Sequence, residues 1–149
     1  MAIRLIKKFT VFLKKLFSIF LIFNLTCVST AQAAGVFVDS FNVNSQDTIP
    51  RGLTFNNDGT KMFVVGDAGD DINEYTLQTR FDVSTASFVD SFSVSSQEVR
   101  PRDVAFSTDG TKMFVVGTLG DDVNEYTLST GFDVSTASFV DSFDVSSQD

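Results

Sequence analysis

The ten residues NDGTKMFVVG at positions 57–66 recur as TDGTKMFVVG at 108–117, and the recurrence extends well beyond them. Residues 37–87 align with residues 88–138 without a gap, and 36 of the 51 paired positions are identical. Phe37-Val38-Asp39-Ser40-Phe41 returns at Phe88–Phe92 and again at Phe139–Phe143. A fixed period of this length means an array of like supersecondary units, each burying its apolar face against a neighbour. Whatever one unit folds into, the chain holds two of them and opens a third.

Each unit reads as four short strands separated by turn signals. In the first copy Gly52-Leu53-Thr54-Phe55 alternates apolar and polar, and Asn57-Asp58-Gly59-Thr60 is a hairpin turn in which Gly59 takes positive φ at little cost. Lys61-Met62-Phe63-Val64-Val65 is apolar on both faces, the pattern of a strand covered by two layers. Ile72–Leu77 is a third strand, with Tyr75 and Leu77 on one face. Phe88–Val94 is a fourth, with Phe88, Phe92 and Val94 sharing a face by the period of two. No helical periodicity follows residue 34. Four strands at a period near 50 predict an all-β fold of β-propeller blades, four-stranded antiparallel units.

The pattern Pro50-x-Gly52-Leu53-x-Phe55-x-x-Asp58-Gly59-Thr60-Lys61-Met62-Phe63-Val64 resembles the YVTN-type repeats, relatives of the WD-like propellers found in many exported bacterial proteins. Pro101–Val115 repeats it with Asp103 in place of the glycine. The resemblance covers essentially all of residues 34–149 and implies a fold; its members serve structural, binding and occasional enzymatic roles on one scaffold. Propellers close with about 4–8 blades. Two units and the start of a third (139–149) therefore read as an incomplete propeller or truncated frame in preference to a ring of short chains, with homo-oligomer formation expected if the chain is complete.

The first 33 residues have a different character. Arg4, Lys7, Lys8, Lys14 and Lys15 precede the apolar run LFSIFLIFNLTCV at 16–28, and Ala31-Gln32-Ala33 follows. A basic region, a short apolar core and a small-x-small site predict a secretory signal peptide cleaved after Ala33, and hence a secreted or periplasmic protein. Thirteen apolar residues span about 20 Å as a helix against about 30 Å of hydrocarbon, so an uncleaved anchor fits less well. Removing the leader takes Cys27, the only cysteine, leaving no disulfide or thiolate chemistry. Residues 34–149 hold six basic against 19 acidic side chains. Such a balance argues against nucleic acid and, after cleavage, against membrane surfaces as partners.

The differences between the two copies mark where the scaffold tolerates change. Ten of the 15 fall between positions 42 and 57, and two more are Asp67/Thr118 and Ala68/Leu119. In the family's geometry the linker between blades and the loop between second and third strands emerge on one face, where a binding surface is expected. The candidate binding residues are Arg51, Asp67, Asp70 and Asp71 in the first blade and Arg100, Arg102, Asp121 and Asp122 in the second. The run Asp67–Glu74 is oxygen-rich, yet Ile72 and Gln78 stand where an EF-hand needs Gly and Glu, and Thr118 replaces the first ligand in the second copy. A turn with Asx hydrogen bonds is the expected structure, and no metal, cofactor or catalytic residue is assigned. Asp82 and Asp133 are expected to cap a turn, with Phe81 and Phe132 packing between blades, and the twelve Phe residues after 33 read as core.

Three functional expectations follow. The leading one is a non-catalytic module that binds a protein or cell-surface partner through the loop face. A carboxylate- or metal-dependent hydrolase of the propeller lactonase sort would need acids on the innermost strands, where only Asp103 stands. A carbohydrate-binding ring of two-blade chains would explain the length but lacks Trp, the usual stacking surface.

Overall fold

The computed structural model describes residues 35–148; the leader lies outside the described residues. The structure discussed below lies within residues 37–148. Among the described residues no helix is long and apolar enough to cross a membrane.

Eight strands follow in order: β1 (Pro50–Phe55), β2 (Lys61–Gly66), β3 (Asp71–Leu77), β4 (Ala86–Ser93), β5 (Pro101–Phe106), β6 (Lys112–Gly117), β7 (Asp122–Leu128) and β8 (Ala137–Asp144). They form two four-stranded antiparallel sheets, β1-β2-β3-β4 and β5-β6-β7-β8, each a simple meander and each the size of one repeat. The chain is therefore an all-β protein of two propeller-blade-like units. Gly59 and Gly110 adopt φ of +71° in the first hairpin of each blade, where a Cβ would also run into the ring of Phe81 or Phe132. The loops before β4 and β8 contain single 3₁₀ turns, Val83–Thr85 and Val134–Thr136. The carboxylates of Asp82 and Asp133 accept the Ser84 and Ser135 N–H at 3.1 and 3.2 Å, as the capping expectation required.

Stacking one sheet on the next builds the core. Phe63, Val65, Ile72 and Val94 of the first blade close against Val104, Met113, Val115, Tyr126, Leu128 and Val134 of the second. The Phe63 and Phe106 rings lie 4.4 Å apart at its centre. The opposite face of the first blade, Met62, Val64, Tyr75 and Leu77, is covered by Phe41, Val43, Phe55, Val83 and Ala86. Strand β2 is thus apolar on both sides because both sides are covered. Its twin β6 alternates: Met113 and Val115 are buried, while Val116 is 36% exposed against 0% for Val65. The sequence of the two strands is identical, so position in the stack alone sets the difference.

Two sequence expectations are corrected. Phe88 and Phe92 lie on opposite faces of β4. Phe88 pairs with Tyr75 and Phe92 with Ile72, because a β-bulge at Val89 shifts the register between Glu74 and Tyr75. Phe88 accordingly packs on Tyr75 of its own blade at 5.8 Å, and Phe92 on Tyr126 of the next at 5.6 Å. Nor are all twelve Phe residues core: Phe37, Phe81, Phe88, Phe139 and Phe143 are exposed. Phe132 does pack between blades, on Phe63 and Phe106, whereas Phe81 packs on Phe55 of its own blade, with no earlier blade among the described residues.

Candidate functional site: the linker and loop end of the blades

The register fixes which loops share an end of the sheets. Pro50 pairs with Gly66, Gly66 with Asp71, and Asp71 with Ser93, so the β2–β3 loop and the linkers before β1 and β5 emerge together. The hairpin at Asn56–Thr60 lies at the opposite end. The variable positions therefore divide. Positions 42, 44, 47, 48 and 49, with 67 and 68, belong to the linker and loop end, while 52–54 lie in β1 and 56–57 in the opposite hairpin.

Arg51, Asp67 and Arg102 come together. Arg51 sits at a bulge, between Pro50 paired with Gly66 and Gly52 paired with Val65, and its Nη2 donates to Asp67 Oδ2 at 2.7 Å. Arg102, at the equivalent bulge of the second blade, donates from Nη1 to the same oxygen at 2.9 Å. One carboxylate thereby bridges two blades. The Arg51 hydrogen bond, followed by the Arg102 and Arg51 charges, holds Asp67 below the usual carboxylate range. In the second blade Thr118 takes this place and receives only a long contact, 3.5 Å, from Arg102 Nη2.

The other candidates are turn residues. Asp70 and Asp121 occupy the left-handed region, at φ of 51° and 48°, and their carbonyls accept the Val94 and Val145 N–H at 2.8 Å. Asp71 and Asp122 accept the Asn73 and Asn124 side-chain amides at 2.7 and 2.8 Å. Burial, and then the charges of Asp47 and Asp70, push the Asp71 carboxyl up. Arg100 is exposed and makes no ion pair among the described residues. Among the described residues no group of three His, Cys, Asp or Glu side chains is disposed to hold a metal ion.

Sequence reasoning missed the residues that shape this end. Asp47 and Glu98 are buried, at 2% and 1% exposure. Asp47 accepts the Ile49 N–H at 2.5 Å and those of Ala68 and Gly69 at 3.2 and 3.4 Å. Glu98 does the same for Arg100, Leu119 and Gly120, at 2.7, 3.3 and 3.2 Å. The N–H groups of the β2–β3 loop are thus satisfied by a carboxylate reaching across from the linker and not by the loop's own Asx side chains. A Cβ on Gly66 or Gly117 would occupy the carboxylate's place. The available signal was an acid at 47 and 98 in both copies, kept although its length changes. What the staples hold outward is largely apolar: Ile49 is exposed in the first blade, and Val99 and Leu119 are exposed with Arg100 in the second. These residues occupy three repeat positions, Thr48/Val99, Ile49/Arg100 and Ala68/Leu119, and all three differ between the copies.

No family model matches the chain, and no curated protein does. Among solved structures, a Bacteroides uniformis protein described as a "putative 6-phosphogluconolactonase" is similar with a TM-score of 0.50 at 16% identity, over 64% of this chain and 26% of that one. A protein of unknown function from Desulfotomaculum acetoxidans gives 0.44 at 23% identity, over 64% of this chain and 27% of that one. A Lactobacillus plantarum protein gives 0.49 at 13% identity, with 64% and 28% covered. The chain spans about a quarter of the length of each. Identity at these levels concerns the fold alone, and the first of the three supports the propeller-like architecture.

Proposed function

We propose that this chain is an exported β-propeller repeat module whose linker and loop end binds a protein or cell-surface partner without catalysis. One observation carries the reading. Where the two copies differ, the buried Asp47 and Glu98 each hold a turn, which presents exposed Ile49 in the first blade and exposed Val99, Leu119 and Arg100 in the second. Exposed aliphatics with an arginine, on otherwise near-identical scaffolds, are the composition of a recognition patch. The hydrolase alternative suggested by the name of the Bacteroides uniformis protein finds one acid, Asp103, on the innermost strands β1 and β5.

Arg102 is a poor probe of this surface, because it also ties the blades together through Asp67. A photo-crosslinking residue at Val99 or Leu119, in the exported chain on intact cells, gives discrete adducts under this proposal. The same residue at Asn57, at the opposite end, gives no adduct with any other protein, and R100E with L119D abolishes those from Val99 and Leu119. Equal labelling from both ends, or none from Val99 and Leu119, refutes it.

A further inference from the structure

The two-blade unit ends in two unlike faces that together repeat its own internal junction. Inside the chain, the trailing face of blade one meets the leading face of blade two through Phe63, Val65 and Ile72 against Val104 and Phe106. Two polar contacts pin it: Lys61 Nζ donates to Phe132 O at 2.6 Å, and Glu74 Oε2 accepts the Val134 N–H at 3.0 Å. The trailing face of blade two carries the same groups, Phe114, Val116 and Val123 with Lys112 and Glu125, and they are half-buried or exposed. The leading face of blade one carries Leu53, 53% exposed where its twin Val104 is 3% exposed. An open groove of about 370 Å³ runs over that leading face beside Pro50, Leu53, Met62, Val64 and Val83.

The outer strand is duplicated in a telling way. Residues 88–94 do two jobs: as β4 they pair with β3, and their end covers blade two through Phe92 and Val94. Residues 37–43 do only the second. Phe41 packs on Tyr75 at 5.6 Å, yet the segment pairs with no strand and Phe37 and Val38 are exposed. Residues 139–145 do only the first: β8 pairs with β7, and Phe143 is 69% exposed. FVDSFNV and FVDSFDV differ at one position, so either fits the slot on β7.

We propose that a second copy of this chain docks its leading face on the trailing face of blade two, with its residues 37–43 taking the β8 position on β7. Lys112 and Glu125 then meet the second copy's Phe81 carbonyl and Val83 N–H, as Lys61 and Glu74 meet Phe132 and Val134. The contact is head to tail, of the kind that closes as a ring when the rotation per copy divides the circle. At two blades from each copy, about two to four copies give the ~4–8 blades of a propeller. The junction is weaker than the internal one in two named ways. Thr118 offers Arg51 no carboxylate where Asp67 serves Arg102. Asp103 also carries a Cβ where Gly52 has none, and at Gly52 a Cβ would lie 2.7 Å from the next blade's Arg102 O.

Residues 34–149 are tested by light scattering across concentration and by cysteine pairing. Asn57 and Thr108 are neighbours across the internal junction, where the Asn57 amide donates to the Thr108 carbonyl. Mixing N57C chains with T108C chains yields a disulfide heterodimer, and neither variant alone does. D103G lowers the concentration of half-association by about tenfold, the factor expected from relieving an overpacked contact. F114D abolishes association and leaves the monomer's unfolding midpoint nearly unchanged, and a chain ending at residue 138 still associates. A chain that stays monomeric to about 1 mM, with no heterodimer on mixing, overturns the proposal, as does association that F114D leaves intact.

Discussion

The lysine of the repeated hairpin tests the stacking argument, because the same substitution can be made twice in one sequence context. Lys61 and Lys112 each reach a glutamate on the neighbouring strand, Glu74 and Glu125, at 2.6 Å. Glu74 is sealed by the second blade, with its side chain 2% exposed, and Lys61 is 26% exposed. Lys112 and Glu125 are 54% and 31% exposed. Lys61→Met leaves a buried carboxylate with the Val134 N–H as its remaining partner and orphans the Phe132 carbonyl, a loss of about 3–5 kcal/mol. Lys112→Met removes a solvated pair worth about 0–1 kcal/mol. Urea denaturation of the monomer, read from midpoints at constant slope, gives both values. A difference below about 1 kcal/mol would refute the claim that the neighbouring blade, and not the local strand pair, makes this interaction matter.

Other outcomes follow from the same geometry. Asp47→Ala leaves three N–H groups of the linker and loop without their acceptor and costs about 2–3 kcal/mol in thermal or urea unfolding. In acid, hydrogen bonds hold two turn carboxylates below their ordinary value of 3.8: the Thr60 hydroxyl and N–H for Asp58, and the Ser107 hydroxyl with Thr111 for Asp109, which falls to about 2. Groups depressed in the folded state stabilise it above the unfolded value, so that contribution is lost as pH falls from about 4 to about 2, in pH-dependent unfolding. Burial pushes the Tyr75 and Tyr126 hydroxyls up to about 12 from 10.0, with nearby carboxylates adding to it. Groups raised in the folded state stabilise it below the unfolded value, so that contribution is lost as pH rises from about 10 to about 12, read in pH-dependent unfolding. The leader's sequence, and not the fold, sets a further expectation: N-terminal sequencing of the full chain expressed in a bacterium and recovered outside the cytoplasm should start at Ala34.

How much of this was legible beforehand follows from which forces act within one repeat. Period, strand order and the positive-φ Gly59 are local matters of alternation and turn chemistry, and they are readable because the sequence states them twice. The bulge at Val89 is invisible to a period-two count, which puts Phe88 and Phe92 on one face because they are four residues apart, while the extra residue turns them to opposite faces. The buried Asp47 and Glu98 were hidden for another reason. A carboxylate that satisfies loop N–H groups 21 and 22 residues away has the same composition as a solvated acid. Of the candidate site, the shared end of the loops was foreseen from family geometry. The bridging of Arg51 and Arg102 by Asp67 depends on two bulges and a stack, and no spacing encodes it.

The central claim is that β2 and β6, identical in sequence, differ in stability because only the trailing face of β2 is covered by another blade. Hydrogen exchange on monomeric residues 34–149 measures this amide by amide, since Phe63 and Val65 have exact twins in Phe114 and Val116. The account predicts slower exchange in β2 than in β6, by at least about tenfold. Equal protection of the twinned amides would contradict it.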